Sequence, residues 1–131
     1  MATSPVQWNL VVWKNGDWSL EASLNDFATG DPIDLTDYLL NMQVRLYQGA
    51  TGTPLIDLET VESPIEGIQI TDAAAGEFNI LIDQATLETL PATNGENKPS
   101  VFHHDLILIA PDGLTEVYAY GSFTLNTGVT R

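Results

Sequence analysis

The sequence predicts an all-β domain, either a sandwich or a small barrel. Three observations predict it. Apolar and polar residues alternate along most of the chain, as in Met42, Val44 and Leu46 against Gln43, Arg45 and Tyr47. Clusters of Gly, Pro, Asn and Asp punctuate the chain at near-regular intervals. Only one short segment has helical spacing. Roughly eight short strands and one short helix account for the pattern. Spacing leaves sandwich against barrel, and the strand order, open.

The first clear signal is "VVWKNGDWSL". Asn15-Gly16 is the favoured pair for a type I′ hairpin turn, in which both positions need positive φ. That turn would set Lys14 opposite Asp17 and Trp13 opposite Trp18, an aromatic cross-strand pair. Trp18, Leu20, Ala22 and Leu24 then share a buried face, with Ser19, Glu21 and Ser23 outside. "NDFATGDPID" is loop chemistry. A strand through Met42, Val44 and Leu46 follows, and "QGATGTP" turns the chain. Short strands are expected over 55–59 and 65–70, then a turn at "TDAAAG", then a strand with Phe78, Ile80 and Ile82 on one face. "DQATLETL" is the helical segment: Asp83 is placed to cap it, Leu87 and Leu90 lie on one side, and Pro91 ends it. After a polar loop come a strand over 101–109, a Pro-Asp-Gly turn, and two last strands over 116–120 and 122–125. No repeat and no linker interrupts residues 1–131, which read as one domain.

The chain has 131 residues with 44% hydrophobic content, enough for a packed core. Lys plus Arg is 4 against Asp plus Glu 18, a formal charge of −14. That balance argues against nucleic acid, whose phosphates call for Lys and Arg, and against an anionic membrane surface. There is no cysteine, so disulfides, zinc thiolates and thiol nucleophiles are excluded. "MATSPVQWNL" has no basic segment leading into an apolar one, so no signal peptide is expected, and synthesis and initial residence in a cytosol follow. Apolar runs such as Leu106–Ala110 are too short to span a bilayer.

Candidate chemistry is sparse. In a strand, His103 and Asp105 of "HHD" point one way and His104 the other. Two ligands on one face are too few for a closed zinc site. The reading is one packed or hydrogen-bonded histidine and one facing solvent. Asp26, Asp31, Asp34 and Asp37 lack the spacing of a calcium loop, and such residues serve turns by bonding nearby N–H groups. No nucleophile elbow and no phosphate loop is present. No enzyme, no metal and no cofactor is therefore expected. The tryptophans remain. Trp8, Leu10 and Val12 share one face of the first strand, and Val11 and Trp13 the other. A strand apolar on both sides is either covered on both faces or makes an intersubunit contact.

Three stretches carry a resemblance. "WSLEASLNDFATGDPIDLTDYLLNMQVRLY", "GIQITDAAAGEFNILIDQATLETLP" and "HHDLILIAPDGLTEVYAYGSFTLNTGVTR" together resemble small virion proteins and baseplate or tail-fibre N-terminal domains of tailed bacteriophages, over about residues 16–131. The resemblance implies an immunoglobulin-like antiparallel β-sandwich that works as an assembly module without catalysis. In this chain Asp37 stands where the family's loop has Gly, and His103-His104 where it has an aromatic residue and Tyr. Met1–Trp13 is additional, an N-terminal arm or an added strand. "DLTDYLLNMQVR" then reads as a corner that sets strand register. Asp34 and Thr36 would bond the turning backbone, and Leu35, Leu39 or Leu40 would plug one end of the sandwich. Arg45 would sit on the solvent face among acidic neighbours.

The expected role is that of a virion structural protein in the tail, baseplate or fibre attachment. Its partners would be other virion proteins and further copies of itself. Candidate interface residues are Trp8, Leu10, Val12, Trp13, Val129 and Arg131. Two alternatives stand beside it. One is a capsid decoration protein. The other is a carbohydrate-binding sandwich using exposed aromatics such as Tyr47, Tyr118 or Tyr120.

Overall fold

Alternate burial along each strand brings two sheets together face to face. The computed structural model of the protein describes residues 6–26, 28–95 and 98–128. In chain order the strands are β1 Val6–Gln7, β2 Leu10–Trp13, β3 Trp18–Ser23, β4 Leu39–Arg45, β5 Ile56–Leu58, β6 Thr60–Val61, β7 Gly67–Asp72 and β8 Glu77–Ile82. Then come helix α1 Gln84–Glu88, β9 Ser100–Ile109 and β10 Thr115–Asn126. One sheet has the order β1-β10-β9-β4-β5, with β2 also on β10; the other is β3-β8-β7-β6. The runs β10-β9-β4-β5 and β3-β8-β7 match the G-F-C-C′ and B-E-D orders of a variable-type immunoglobulin domain. The fold is an immunoglobulin-like β-sandwich.

The core is apolar and lacks any covalent brace. Phe78, Phe102 and Phe123 are buried at its centre with Met42, Val44, Ile80, Ile82, Leu106 and Leu108. Trp18 meets Phe123 edge-on, ring centroids 6.4 Å apart, a favoured aromatic geometry. Each inward residue belongs to an alternating strand, so the expected period-two pattern holds in β3, β4, β8 and β9.

The expected Asn15-Gly16 hairpin does not form. β2 pairs with β10 and β3 with β8, in different sheets. Residues 14–17 are therefore a crossover between the sheets. Trp13 and Trp18 are not cross-strand partners, and Gly16 is absent from the positive-φ glycines. The competing pull is pairing with the C-terminal strand. β1 and β2 run parallel to β10, from Val6↔Ala119 to Trp13↔Asn126, and the Lys14 N–H extends the ladder to the Asn126 carbonyl at 2.8 Å. The additional N-terminal segment is thus an added strand from Val6 onward, and the sandwich is not wholly antiparallel. β6 and β7 are also parallel.

Other elements are adjusted locally. The two last strands are one, β10, with a bulge where the register against β9 shifts between Val117 and Ala119. Gly121 does not break it. The side of Gly121 where a side chain would stand is filled by the Trp8 carbonyl and the Asn9 side chain. The helix is present, with Leu87 and Leu90 buried. Asp83 makes no side-chain cap. Asp17, in the crossover, caps it instead, its Oδ1 accepting from the Gln84 N–H at 2.7 Å. No local sequence rule finds a cap 67 residues away.

The corner over 34–40 is built in part as expected: Asp34 bonds the turning backbone, whereas the Thr36 hydroxyl bonds Asp34 instead of the backbone. Asp34 Oδ1 accepts from the Thr36 N–H at 3.0 Å and the Thr36 hydroxyl at 2.6 Å, and these bonds hold the Asp34 carboxyl below its ordinary pKa. Leu35 and Leu40 are buried, while Leu39 is exposed. Asp37 has φ +62°, so the left-handed turn that a Gly would serve there is made by Asp, one of the residues that tolerates it. Arg45 has a firmer role than a surface charge among acids. Its Nη1 donates to the Ala50 and Gly52 carbonyls at 3.2 and 2.7 Å, and its Nη2 to Gln43 Oε1 at 3.1 Å, tying down the loop after β4.

The crossover and the buried glycine make opposite predictions for the same substitution. Gly16→Ala is expected to be neutral or to stabilise slightly, because the position is open and its φ suits an L residue. Gly121→Ala is expected to lower unfolding free energy by about 1–3 kcal/mol, through collision with the Trp8 backbone. Urea denaturation of both variants measures this. A large loss for Gly16→Ala would restore the hairpin.

Candidate binding surfaces

The six expected interface residues fall into four groups. Leu10 and Val12, 6% and 0% exposed, face inward and belong to the core. They offer nothing to a partner. Trp13 is 54% exposed on the opposite face of β2. Trp8 is half-buried at the break between β1 and β2. Val129 and Arg131 lie outside the described residues. The first strand is therefore covered on one side and bare on the other.

The bare side forms a row. Val11 pairs with Thr124 of β10, and Thr124 with Val101 of β9. Thr124 lies between the buried Phe123 and Leu125, so all three point outward. Val11 is 57% and Val101 43% exposed. Trp13, two residues beyond Val11, extends the row along β2. An exposed Trp beside β-branched side chains on a sheet face is the kind of aromatic anchor found at interface centres.

Trp8 has a different task. Its N–H donates to the Tyr120 carbonyl at 2.7 Å, and Asn9 Oδ1 accepts from the Ser122 N–H at 3.1 Å. Between these bonds the Trp8 carbonyl turns inward over Gly121 to His104 Nε2, 2.6 Å away. A carbonyl only accepts, so Nε2 carries the proton and Nδ1 is left as an acceptor. That Nδ1 is buried without a partner. The His104 ring lies edge-on to both Trp8 and Phe123. Burial pushes its pKa below 6.5, opposed by the Trp8 carbonyl and Asp105, and aided by His103. Of the two histidines that alternation sets on opposite faces, His104 is thus the packed, hydrogen-bonded one and His103 the exposed one.

His103 and Asp105 face outward beside a shallow depression of about 130 Å³. It also involves Gln43, Arg45, Tyr47 and Tyr120. Burial raises the Asp105 pKa from its ordinary value, against the pull of His104 and Arg45. Tyr47 and Tyr120 are 61% and 43% exposed. Tyr118, grouped with them by sequence, lies elsewhere: its hydroxyl meets the Asn25 backbone, accepting from the N–H at 3.3 Å.

In the acidic loop Asp26 and Asp34 serve the turning backbone. Asp26 Oδ1 accepts from the N–H groups of Ala28 and Thr29 at 2.8 and 3.2 Å, and Asp34 serves Thr36. Among the described residues no three His, Asp or Glu side chains are placed to share a metal ion. Among the described residues no helix is long and apolar enough to cross a membrane.

A further surface was invisible in the sequence. An open groove of about 330 Å³ runs along the seam between the two sheets where β3 faces β1 and β10. Its walls come from residues more than 90 positions apart, such as Leu20 and Tyr118. Only the half-hearted burial of Trp18, Leu20 and Ala22 marks it, and one sequence does not show burial.

No protein-family model matches the chain, and no curated protein matches it. Among solved structures, murine CRIg is similar over 95% of this chain and 94% of that one, at 14% identity and a TM-score of 0.37.

The buried imidazole gives a pH dependence. With its folded pKa below the unfolded value, His104 contributes stability that is complete above pH 6.5 and lost as pH falls from there through the folded pKa. The denaturation midpoint is expected to fall between pH 7 and pH 5. His104→Gln, which keeps an N–H for the Trp8 carbonyl, should flatten that slope. An unchanged slope in the variant would remove His104 as its source.

Proposed function

We propose that this chain is a non-catalytic assembly module of a tailed-bacteriophage particle, in the tail, baseplate or fibre attachment. The observation that carries the binding part is the bare row of Val11, Trp13 and Val101 on the outer face of the larger sheet. A chain of charge −14 gains nothing in solubility from an exposed Trp there. The placement in a virion rests on the three resembling stretches. Capsid decoration is the alternative within the particle, and the same row serves either partner.

Self-association is one use of the row and docking onto another virion protein the other. Size-exclusion chromatography with light scattering reads the first, and cross-linking on intact particles separates tail from capsid contacts. Trp13→Ala is expected to weaken the contact by about 30-fold, the loss of about 2 kcal/mol typical of an aromatic anchor. It should change folding stability by less than about 0.5–1 kcal/mol, because the side chain is largely exposed. A strictly monomeric chain that binds no virion protein would refute the proposal.

One observation favours a second reading, carbohydrate binding. The depression places Tyr47 and Tyr120 beside Gln43, His103 and Asp105. Aromatic faces with planar polar groups suit a sugar ring and its hydroxyls. A glycan array distinguishes the readings: signals lost in Tyr120→Ala would support it, and an array without signals would remove it.

A further inference from the structure

The two seams of the sandwich differ. On one side the chain passes directly from β5 to β6 through Glu59, and the Thr60 hydroxyl bonds both the N–H and the carbonyl of Leu40, at 2.7 and 2.9 Å. That seam is closed. On the other side β3 has β8 as a neighbour and, among the described residues, no strand beyond it. In the immunoglobulin order A-B-E-D this is the place of the A strand. Here the chain before β3 lies on β10 instead. The consequence is visible in burial. Inward side chains of β8, Phe78, Ile80 and Ile82, are 0–1% exposed, while those of β3, Trp18, Leu20 and Ala22, are only partly buried. The groove beneath this edge is lined chiefly by Val6, Trp8, Leu20, Ala22, Phe78 and Tyr118.

We propose that the free edge of β3 binds an extended cationic segment of another protein by strand addition. Main-chain groups of the incoming strand pair with β3. Its apolar side chains, at alternate positions, enter the groove beside Leu20 and Ala22. The intervening positions face outward beside Glu21, with Glu77 on the neighbouring strand, and carry Lys or Arg. About six residues match the length of β3, roughly 20 Å at the rise of a strand.

Charge selects this occupant over a second copy. Antiparallel pairing of β3 with its own copy must keep Leu20 and Ala22 inward. Every such register with substantial overlap sets the two Glu21 side chains directly or diagonally opposite, where like charges repel. The charge of −14 on each copy adds to that repulsion. With only four Lys and Arg, this chain also has no cationic strand of its own to supply. The surface is distinct from the Val11–Trp13 row, and the proposal does not depend on the virion reading.

The test uses the full chain and a synthetic ten-residue peptide alternating Val or Ile with Lys or Thr. Two controls accompany it: a block-ordered isomer of the same composition, and a version with Glu for Lys. Backbone amide exchange reads the edge, and titration calorimetry the affinity. The alternating cationic peptide is expected to bind, to slow exchange across Ser19–Ser23 by about tenfold or more, and to weaken with added salt. Glu21→Lys, at an exposed position that leaves the fold intact, should weaken it at least tenfold. Absence of slowing, or equal binding of the block isomer, would overturn strand addition. Equal binding of the Glu peptide would overturn the charge assignment. Slowing at β3 that depends on protein concentration alone would overturn it in favour of a second copy.

Discussion

The Trp8 carbonyl, held by His104 across the gap that Gly121 leaves, determines how the rest of the chain is arranged. It fixes the first strand on β10, parallel to it, and commits the N-terminal segment to the larger sheet. The bond is short, 2.6 Å, and sheltered by the Trp8 and Phe123 rings. In such surroundings a hydrogen bond is stronger than in water, and its loss would strand a buried carbonyl and a buried imidazole together. Gly121 is required because any side chain there would occupy the place of the carbonyl. The orphaned Nδ1 of His104 is the cost of this arrangement.

Seating the first strand on β10 has two consequences for the surface. Alternation along β2 buries Leu10 and Val12 and so must expose Val11 and Trp13 beside Val101. The smaller sheet loses the neighbour that would have covered β3, so its inward side chains stay half-covered. An apolar row and an open seam therefore arise from a single choice of pairing. Under the proposed reading both serve contact with another protein. The 18 acidic residues against 4 basic ones leave the chain strongly negative.

Alternation made most of the fold legible. Inward faces of β3, β4, β8 and β9, the short helix, the Pro-Asp-Gly hairpin and the Asp34–Thr36 corner are all readable because their causes are local. The same parity sets His103 and His104 on opposite faces, and only the folded chain shows that His104 is the buried one. Pairing was not readable. Asn15-Gly16 is a strong hairpin signal, and it was overridden because β10 offers a longer partner, which only the folded chain brings near. Gly121 looked like a break between strands because its reason lies in Trp8. Asp83 looked like the cap because Asp17 is distant in sequence. Leu10 and Val12 were candidate contacts because a strand apolar on both faces does not say which face is covered. The groove needs strand order, which is absent from any one sequence.

Parallel seating of the N-terminal strand is tested most directly by nuclear Overhauser contacts in the folded protein. Cross-strand contacts are expected between Leu10 and Phe123, Val12 and Leu125, and Trp13 and Asn126, with none between the backbones of Trp13 and Trp18. An antiparallel series across Trp13 and Trp18, with the β10 contacts missing, would show a hairpin about Asn15-Gly16 and contradict the account from its first strand onward.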